Sequence, residues 1–351
     1  MWIAESTISC TGILKRSLWN IDASCPMNRR DFLAAGAAAG CLVACPTLAS
    51  ATSPPKPASG MIDSHVHVWS DDFERFPLAP GFNPGNLWLT RYTPEDILRE
   101  SRPLGVTRLN LVQMTWYGLD HSYIADAIAR NPGVLIGTGI VPAVTDVSGP
   151  SPDDAMVALS EQGIVSFRIR GRAARPALGD GPQWLDHPGY DKMFRCGHER
   201  NLALSFLILP EDIPELDRMC ARFPGTPVII DHLCGIGSKG PFPESEISAL
   251  CGLARHPRVM VKIGAFYARG ARKPPYLDSL GLVRHVVEAF GPDRCMWETD
   301  APLTRPGSPE TTPPHTYEAS LALIRDHADF LSASDKEKIL TKTAERLFFA
   351  R

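Results

Sequence analysis

The run Asp63-Ser64-His65-Val66-His67 holds the densest potential chemistry in the chain. On an extended strand alternate residues share a face, so Asp63, His65 and His67 should point the same way. Both imidazoles then lie at the strand's C-terminal end. Two neutral imidazoles two residues apart offer half a site for a divalent metal. An H-x-H pair is short and also arises on polar faces without function. Its meaning therefore depends on what the rest of the chain brings to it.

Three other segments bring chemistry of the same kind. Val228-Ile229-Ile230 is an apolar run ending in Asp231-His232, and Cys295-Met296-Trp297 ends in Glu298-Thr299-Asp300, just before Pro302. Phe167-Arg168-Ile169-Arg170 places two guanidinium groups on one face of a strand. Arginine suits two-point capture of a carboxylate, so an anionic substrate is expected, with pairing to nearby acids as the plain alternative. Lys262, inside the apolar run 259–263, fits either the same anion-binding role or a buried ion pair. Trp69, Trp88, Trp116 and Tyr117 follow the first two strand candidates and suit a pocket wall or loop packing. Among the remaining histidines, His315 is the best placed for a role, because it belongs to the loop after the last strand candidate.

Positioning these groups requires a scaffold that gathers strand ends. Eight short runs rich in apolar and β-branched residues read as strands: 61–68, 107–114, 135–141, 164–170, 202–209, 228–232, 259–263 and 295–300. Helical patterns separate them. Thr93-Pro94-Glu95-Asp96 is a helix start with a cap, a first-turn proline and early acids. Gly105 ends that helix, and Ser334-Asp335 opens a last one running to about Phe349. The alternation predicts one α/β domain, a (β/α)8 TIM barrel over 61–351. A doubly wound sheet would carry a Gly-rich phosphate loop after its first strand. This chain has His-Val-Trp-Ser there instead. Long loops at 69–92 and 301–315 should cover the C-terminal face, where barrel enzymes keep their active sites.

The chain before this domain reads as a leader. Arg29-Arg30 precede an Ala-rich apolar run, 33–43, and Ala49-Ser50-Ala51 follows as a cleavage site. Residues 1–51 are thus predicted to be an N-terminal extension and a twin-arginine signal peptide, with Met27 as its start. Residues 52–60 are a Pro/Ser linker. Delivery outside the cytoplasm, to the periplasm, is the expectation. The alternative is a lipoprotein anchored at Cys45, since Leu42-Val43-Ala44-Cys45 has the form of a lipidation site. The apolar run is too short to span a bilayer, which needs about 20 residues. The whole chain carries a formal charge of −3, and its first 60 residues hold five basic and three acidic side chains. The folded part therefore stands near −5, which argues against a nucleic-acid or anionic-membrane partner. The five cysteines after Gly60 are odd in number and lack C-x-x-C spacing, so free thiols are expected. Oligomeric state leaves no mark in the sequence.

Taken together, Met61-Ile-Asp-Ser-His65-Val-His67, Asp231-His232-Leu-Cys-Gly235 and Glu298-Thr-Asp300-Ala-Pro302 resemble the amidohydrolase-related proteins, and in particular their sugar-lactone and dicarboxylate-lactone hydrolases. Leu204-Ser-Phe206 and Val261-Lys262-Ile-Gly264-Ala-Phe266-Tyr267 are similar to that branch's fifth and seventh strands. The resemblance implies a barrel that opens a cyclic ester with activated water. It makes His65, His67 and Asp300 ligands of one divalent ion, zinc or manganese, or polar site residues without a metal. Asp300 becomes the general base and His232 the group that meets the substrate carbonyl. Two departures argue against a two-metal site: strand five carries no histidine, and strand four no lysine. With a metal, the ion acts as Lewis acid. Without one, the histidines stabilise the oxyanion. A metal-dependent nonoxidative decarboxylase of the same superfamily and a non-catalytic ligand-binding barrel are the competing readings.

Overall fold

The computed structural model describes residues 60–172, 183–303 and 313–350. The predicted leader, the linker before Gly60, Cys45 and much of the loop after the last strand lie outside the described residues. Eight parallel strands form one sheet in sequence order: β1 Met61–Val66, β2 Val106–Val112, β3 Leu135–Gly139, β4 Ile164–Arg170, β5 Ala203–Leu207, β6 Val228–Ile230, β7 Val259–Ile263 and β8 Cys295–Trp297. The helices α1 Pro94–Ser101, α2 Ser122–Arg130, α3 Pro152–Ser160, α4 Pro188–Arg200, α5 Ile213–Arg222, α6 Glu244–Gly252 and α7 Leu280–Phe290 each connect one strand to the next. After β8 come α8 Tyr317–Ala322 and α9 Ala333–Glu337. The last strand returns to the first through a Val66–Ala301 bridge. Asp300 N–H also donates to His65 O at 3.0 Å and His67 N–H to Ala301 O at 2.8 Å. The sheet is thus a nearly closed (β/α)8 barrel, as the alternation of patterns predicts.

Local signals explain several boundaries. Thr93 caps α1: its hydroxyl accepts from Asp96 N–H at 3.2 Å, and Asp96 returns a bond to Thr93 N–H at 3.0 Å. Gly105, at φ 83°, ends that helical stretch in a left-handed turn. The final helix starts earlier than expected. Its cap is Ser332, whose hydroxyl accepts from Asp335 N–H, because that serine lies three residues before the reciprocating carboxylate. Strands six and eight are shorter than expected. β6 stops at Ile230 and β8 at Trp297, so Asp231, His232, Glu298 and Asp300 sit on the turns just beyond. Among the described residues the five cysteines are free, as expected.

The outward faces of the strands, such as Val165, Phe167 and Ile169 on β4, are buried in the apolar core. The inward face is polar. The Asn110 side-chain amide donates to Ser64 O and to Thr138 Oγ1, both at 2.9 Å. Thr138 Oγ1 lies 2.5 Å from Ser166 Oγ. All three side chains are fully buried, so each group needs a partner and together they form a closed set. This rung ties β1 to β4 beneath the site. Thr138→Val removes its middle member with little change of volume. It leaves the Asn110 amide and the Ser166 hydroxyl underserved, at a cost of about 1–3 kcal/mol. Thermal unfolding of the variant should show a midpoint lower by roughly 2–8 °C; an unchanged midpoint would show that the rung contributes nothing.

Candidate active site

Four segments converge at the C-terminal end of the barrel. β1 and the residue after it supply His65 and His67, whose ring centres are 5.0 Å apart. The turn after β6 supplies His232, whose ring centre is 4.5 Å from that of His65. The turn after β8 supplies Asp300, and β4 supplies Arg168. All five are buried. Asp63 does not join them. The register of β1 against β2 shifts between Asp63 and Val66, and the Asp63 carboxylate is turned toward the segment after β8. There it accepts from Thr299 Oγ1 at 2.5 Å, Thr299 N–H at 3.1 Å and Tyr317 Oη at 2.8 Å, as well as from His65 N–H. Burial pushes Asp63 up to about 7 against these four donors. Its role is to hold β1 against β8, correcting the expectation of one shared face.

Asp300 is the hub. Its Oδ1 lies 3.1 Å from His67 Nε2, 3.6 Å from His65 Nε2 and 4.0 Å from His232 Nε2. Its other oxygen accepts from Tyr267 Oη at 2.6 Å. The backbone is shaped for this convergence. Asp300 has φ 63°, and His232, Leu233 and Cys234 form three successive left-handed residues at φ 52°, 49° and 57°. Such a run is unfavourable for side-chain-bearing residues and persists only where surrounding contacts over-determine it. Arg269, also buried, ties Ile236, just past this run, to Gly264 after β7. Its Nη1 donates to Ile236 O at 2.8 Å and its Nε to Gly264 O at 3.2 Å.

Behind the histidines lies a layer of paired charges. Lys262 has no exposed surface, and its Nζ sits 3.0 Å from Asp231 Oδ1 and 3.1 Å from His65 Nδ1. Ser205, on β5, donates to the same Asp231 oxygen at 2.8 Å. Burial alone would raise Asp231, but Lys262, His65 and Arg168 outweigh it and hold the carboxyl well below its usual range. Glu298 Oε1 accepts from His232 Nδ1 at 2.6 Å. Against the opposing effect of burial, His232 and His65 hold Glu298 down to about 2. Arg168 donates through Nη2 to His232 Nε2 at 3.2 Å, with Nε 3.6 Å from Asp231 Oδ2. Arg170 ends β4 half-buried.

Ring tautomers follow from these partners. A backbone carbonyl only accepts, so His67 Nδ1, 2.9 Å from Val112 O, carries its proton. In the neutral ring Nε2 is then a lone pair facing the Asp300 oxygen at 3.1 Å. Two acceptors at that distance need a proton or a cation between them. Burial disfavours the proton, pushing His67 down to about 4. His65 is likewise lowered, first by burial and then by Lys262 and His232. Among the described residues His65 Nε2 is buried with no hydrogen-bond partner, and so is Glu298 Oε2, which lies 3.3 Å from His65 Nδ1. A proton on Nδ1 directed at Glu298 frees Nε2 as a ligand. A proton on Nε2, with Nδ1 accepting from Lys262, makes Nε2 a donor instead. Ligand atoms of His65, His67 and Asp300 lie within 4.8 Å of one another, and those of His65, His232 and Glu298 do as well. Two imidazole nitrogens and a carboxylate are a donor set that fits one divalent ion with open positions, so these residues could hold a zinc or manganese ion.

The structure therefore brings together His65, His67, His232, Asp300, Arg168 and Lys262, with Arg170 ending the same strand as Arg168. Sequence reasoning did not assign roles to Asp231, Glu298, Ser205 and Tyr267. All four stood within the quoted motifs, and for the first two an acid beside a site histidine is the signal that could have singled them out. Trp88 reaches the site's edge, its ring centre 6.2 Å from that of His67, and packs against Trp69 and Trp116.

The amidohydrolase family model matches residues 62–350. The chain is 25% identical over 249 residues to the L-fucono-1,5-lactonase of Burkholderia ambifaria, covering 70% of this chain and 81% of that protein. It is 24% identical over 263 residues to the 4-sulfomuconolactone hydrolase of Rhizobium radiobacter, covering 72% and 79%. A probable 2-pyrone-4,6-dicarboxylic acid hydrolase of Acinetobacter baumannii, solved with citric acid bound, superposes with a TM-score of 0.66 at 20% identity, over 83% of this chain and 99% of that one. The protein belongs to the amidohydrolase family.

Gly264 shows how tightly the site is assembled. A β-carbon there would lie 2.3 Å from Glu298 Cγ and closer still to the Glu298 carbonyl oxygen. Gly264→Ala should therefore displace Glu298 and release His232 from its carboxylate partner. Loss of a partner of this kind typically costs 10–100-fold in activity or metal affinity. Steady-state assay of the folded variant, with its circular dichroism unchanged, should show at least a tenfold loss; activity equal to the parent would dissociate Glu298 from the site's function.

Proposed function

We propose that this protein hydrolyses a lactone that carries at least one carboxylate or similar anionic group. The observation that carries the reading is the Asp300 oxygen facing three imidazole nitrogens within 4.0 Å. The two curated relatives are named for lactone hydrolysis, and the citric acid bound to the Acinetobacter protein is a polycarboxylate. Both support the choice of a cyclic ester with an acid group.

Asp300 Oδ1 is placed to take a proton from water. The resulting hydroxide adds to the lactone carbonyl carbon, the ring C–O bond breaks, and the departing oxygen receives the proton back, giving a hydroxy acid. His232, oriented by Glu298, can meet the carbonyl oxygen as negative charge develops there only with a proton on both ring nitrogens, since in the neutral ring its Nε2 is the acceptor of the Arg168 bond. Arg168 and Arg170 approach from β4 and suit the substrate's anionic group. A divalent ion held by His65, His67 and Asp300 would supply Lewis-acid polarisation and a more acidic water.

Metal analysis of the purified protein, paired with a lactone panel assayed before and after chelation, tests this directly. About one zinc or manganese per chain is expected, with turnover lost on chelation and restored on refilling. Asp300→Asn should lower kcat by about 10²–10⁴-fold. Because burial lowers His65 and takes His67 down to about 4, the imidazoles keep their lone pairs below the usual histidine range. The acid limb of kcat/KM should accordingly fall below pH 6.5, toward about 4, with activity declining as pH drops. Unchanged turnover in Asp300→Asn would sink the mechanism. Release of CO2 from an aromatic or enoic acid, without lactone opening, would move the reading to decarboxylation.

We further propose export through the twin-arginine leader, supported by Arg29-Arg30, the Ala-rich run and Ala49-Ser50-Ala51. No helix among the described residues is long and apolar enough to cross a membrane. N-terminal sequencing of the protein from the periplasmic fraction should begin at Thr52. A start at a lipid-modified Cys45 would replace this with anchoring, and an uncleaved cytoplasmic chain would exclude both.

A further inference from the structure

We propose that Tyr267 is a positioning residue for Asp300, and that His315 and Tyr276 hold Tyr267 in that role. The proposal rests on the reading of Asp300 as base and ligand. A carboxylate has two equivalent oxygens, and here they have different surroundings. Oδ1 faces the three imidazoles, whereas Oδ2 accepts from the Tyr267 phenol at 2.6 Å. A carboxylate in a buried site cannot donate, so the phenol proton lies on this bond and engages one oxygen. That fixes the rotation of the carboxyl group about its last bond, which is otherwise a broad torsion.

Tyr267 reaches Asp300 from the loop after β7. Ala265, at φ 51°, turns that loop as it leaves the strand, and the Tyr267 ring is buried. The ring's packing comes from the loop after β8. His315 meets it edge-on, with ring centres 6.0 Å apart and planes at 69°. His315 is itself fixed by Tyr276, whose Oη lies 2.9 Å from His315 Nδ1 and whose ring plane is within 7° of parallel. Tyr276 and Tyr267 belong to one loop and His315 to the other. The two loops thus brace each other around the side chain that holds the base. The contacts of His315 run to Tyr267 and Tyr276, so its action on Asp300 passes through Tyr267.

The test compares Tyr267→Phe, His315→Ala and their double variant with Asp300→Asn, all in the full-length chain. Two readouts are taken: kcat and KM on a turned-over lactone, and zinc affinity by competition with a chromophoric chelator, which needs no catalysis. Tyr267→Phe should lower kcat by about 10–100-fold with KM within twofold, and weaken zinc by about tenfold. A purely structural tyrosine would lower the unfolding temperature and leave zinc affinity and the kcat-to-KM split alone. His315→Ala should give a smaller loss of the same kind, and the double variant should be no worse than Tyr267→Phe, since the two act in series. If Tyr267→Phe fails to fold, Tyr276→Phe reads the same brace from its outer end, by loss of its bond to His315. Parental kcat and zinc affinity in Tyr267→Phe, beside an inactive Asp300→Asn, would overturn this proposal alone. Parental activity in Asp300→Asn would overturn the reading beneath it. Fully additive losses would remove His315 from the brace.

Discussion

The ion pair between Lys262 and Asp231 is the constraint on which the site depends. Neither residue has meaningful exposure, and their separation is 3.0 Å. Removing two such charges from water costs several kcal/mol per ion unless geometry and hydrogen bonds compensate. Compensation is present on every side: Ser205 donates to Asp231, His65 meets Lys262, and Arg168 lies beside the second Asp231 oxygen. Losing either partner would leave the other charge stranded inside the barrel. The pair in turn sets the electrostatic surroundings of His65, the residue common to both candidate ligand groups.

From this pair outward the site is a succession of layers. Closest to the reacting position are His65, His67, His232 and Asp300. Behind them Glu298, Asp231, Lys262 and Tyr267 fix ring tautomers and the carboxylate's rotation. Deeper still, the Asn110–Thr138–Ser166 rung replaces the bulky aliphatic filling common in such barrels with hydrogen bonds. Each layer is polar, and groups of the second engage His65, His232 and Asp300 of the first. Precision at the site thus comes from hydrogen-bond direction rather than from shape packing alone.

The fold was legible because parallel strands buried on both faces read as short apolar runs, and helix caps such as Thr93 carry local signals. His65 and His67 were legible by the two-residue period of a strand. His232 and Asp300 were legible as polar residues ending apolar runs. What escaped was set by backbone geometry that no residue pattern announces. The register shift after Asp63 turned that carboxylate away from the histidines, and the left-handed turns after β6 and β8 cut those strands short. Tyr267 escaped for another reason. It reaches Asp300 across 33 positions of sequence, and only the barrel brings them together.

The three left-handed residues at 232–234 carry a consequence for how the molecule fluctuates. Conformational strain lowers the free energy needed for a segment to open, so the strained turn should open at lower cost than the bonded floor beneath it. Amide hydrogens of β2 to β4 should then exchange more slowly than those near His232, whose turn should open at lower cost. His232 thus stands on a turn whose opening would release backbone strain and leave the bonded rung of the strands beneath intact.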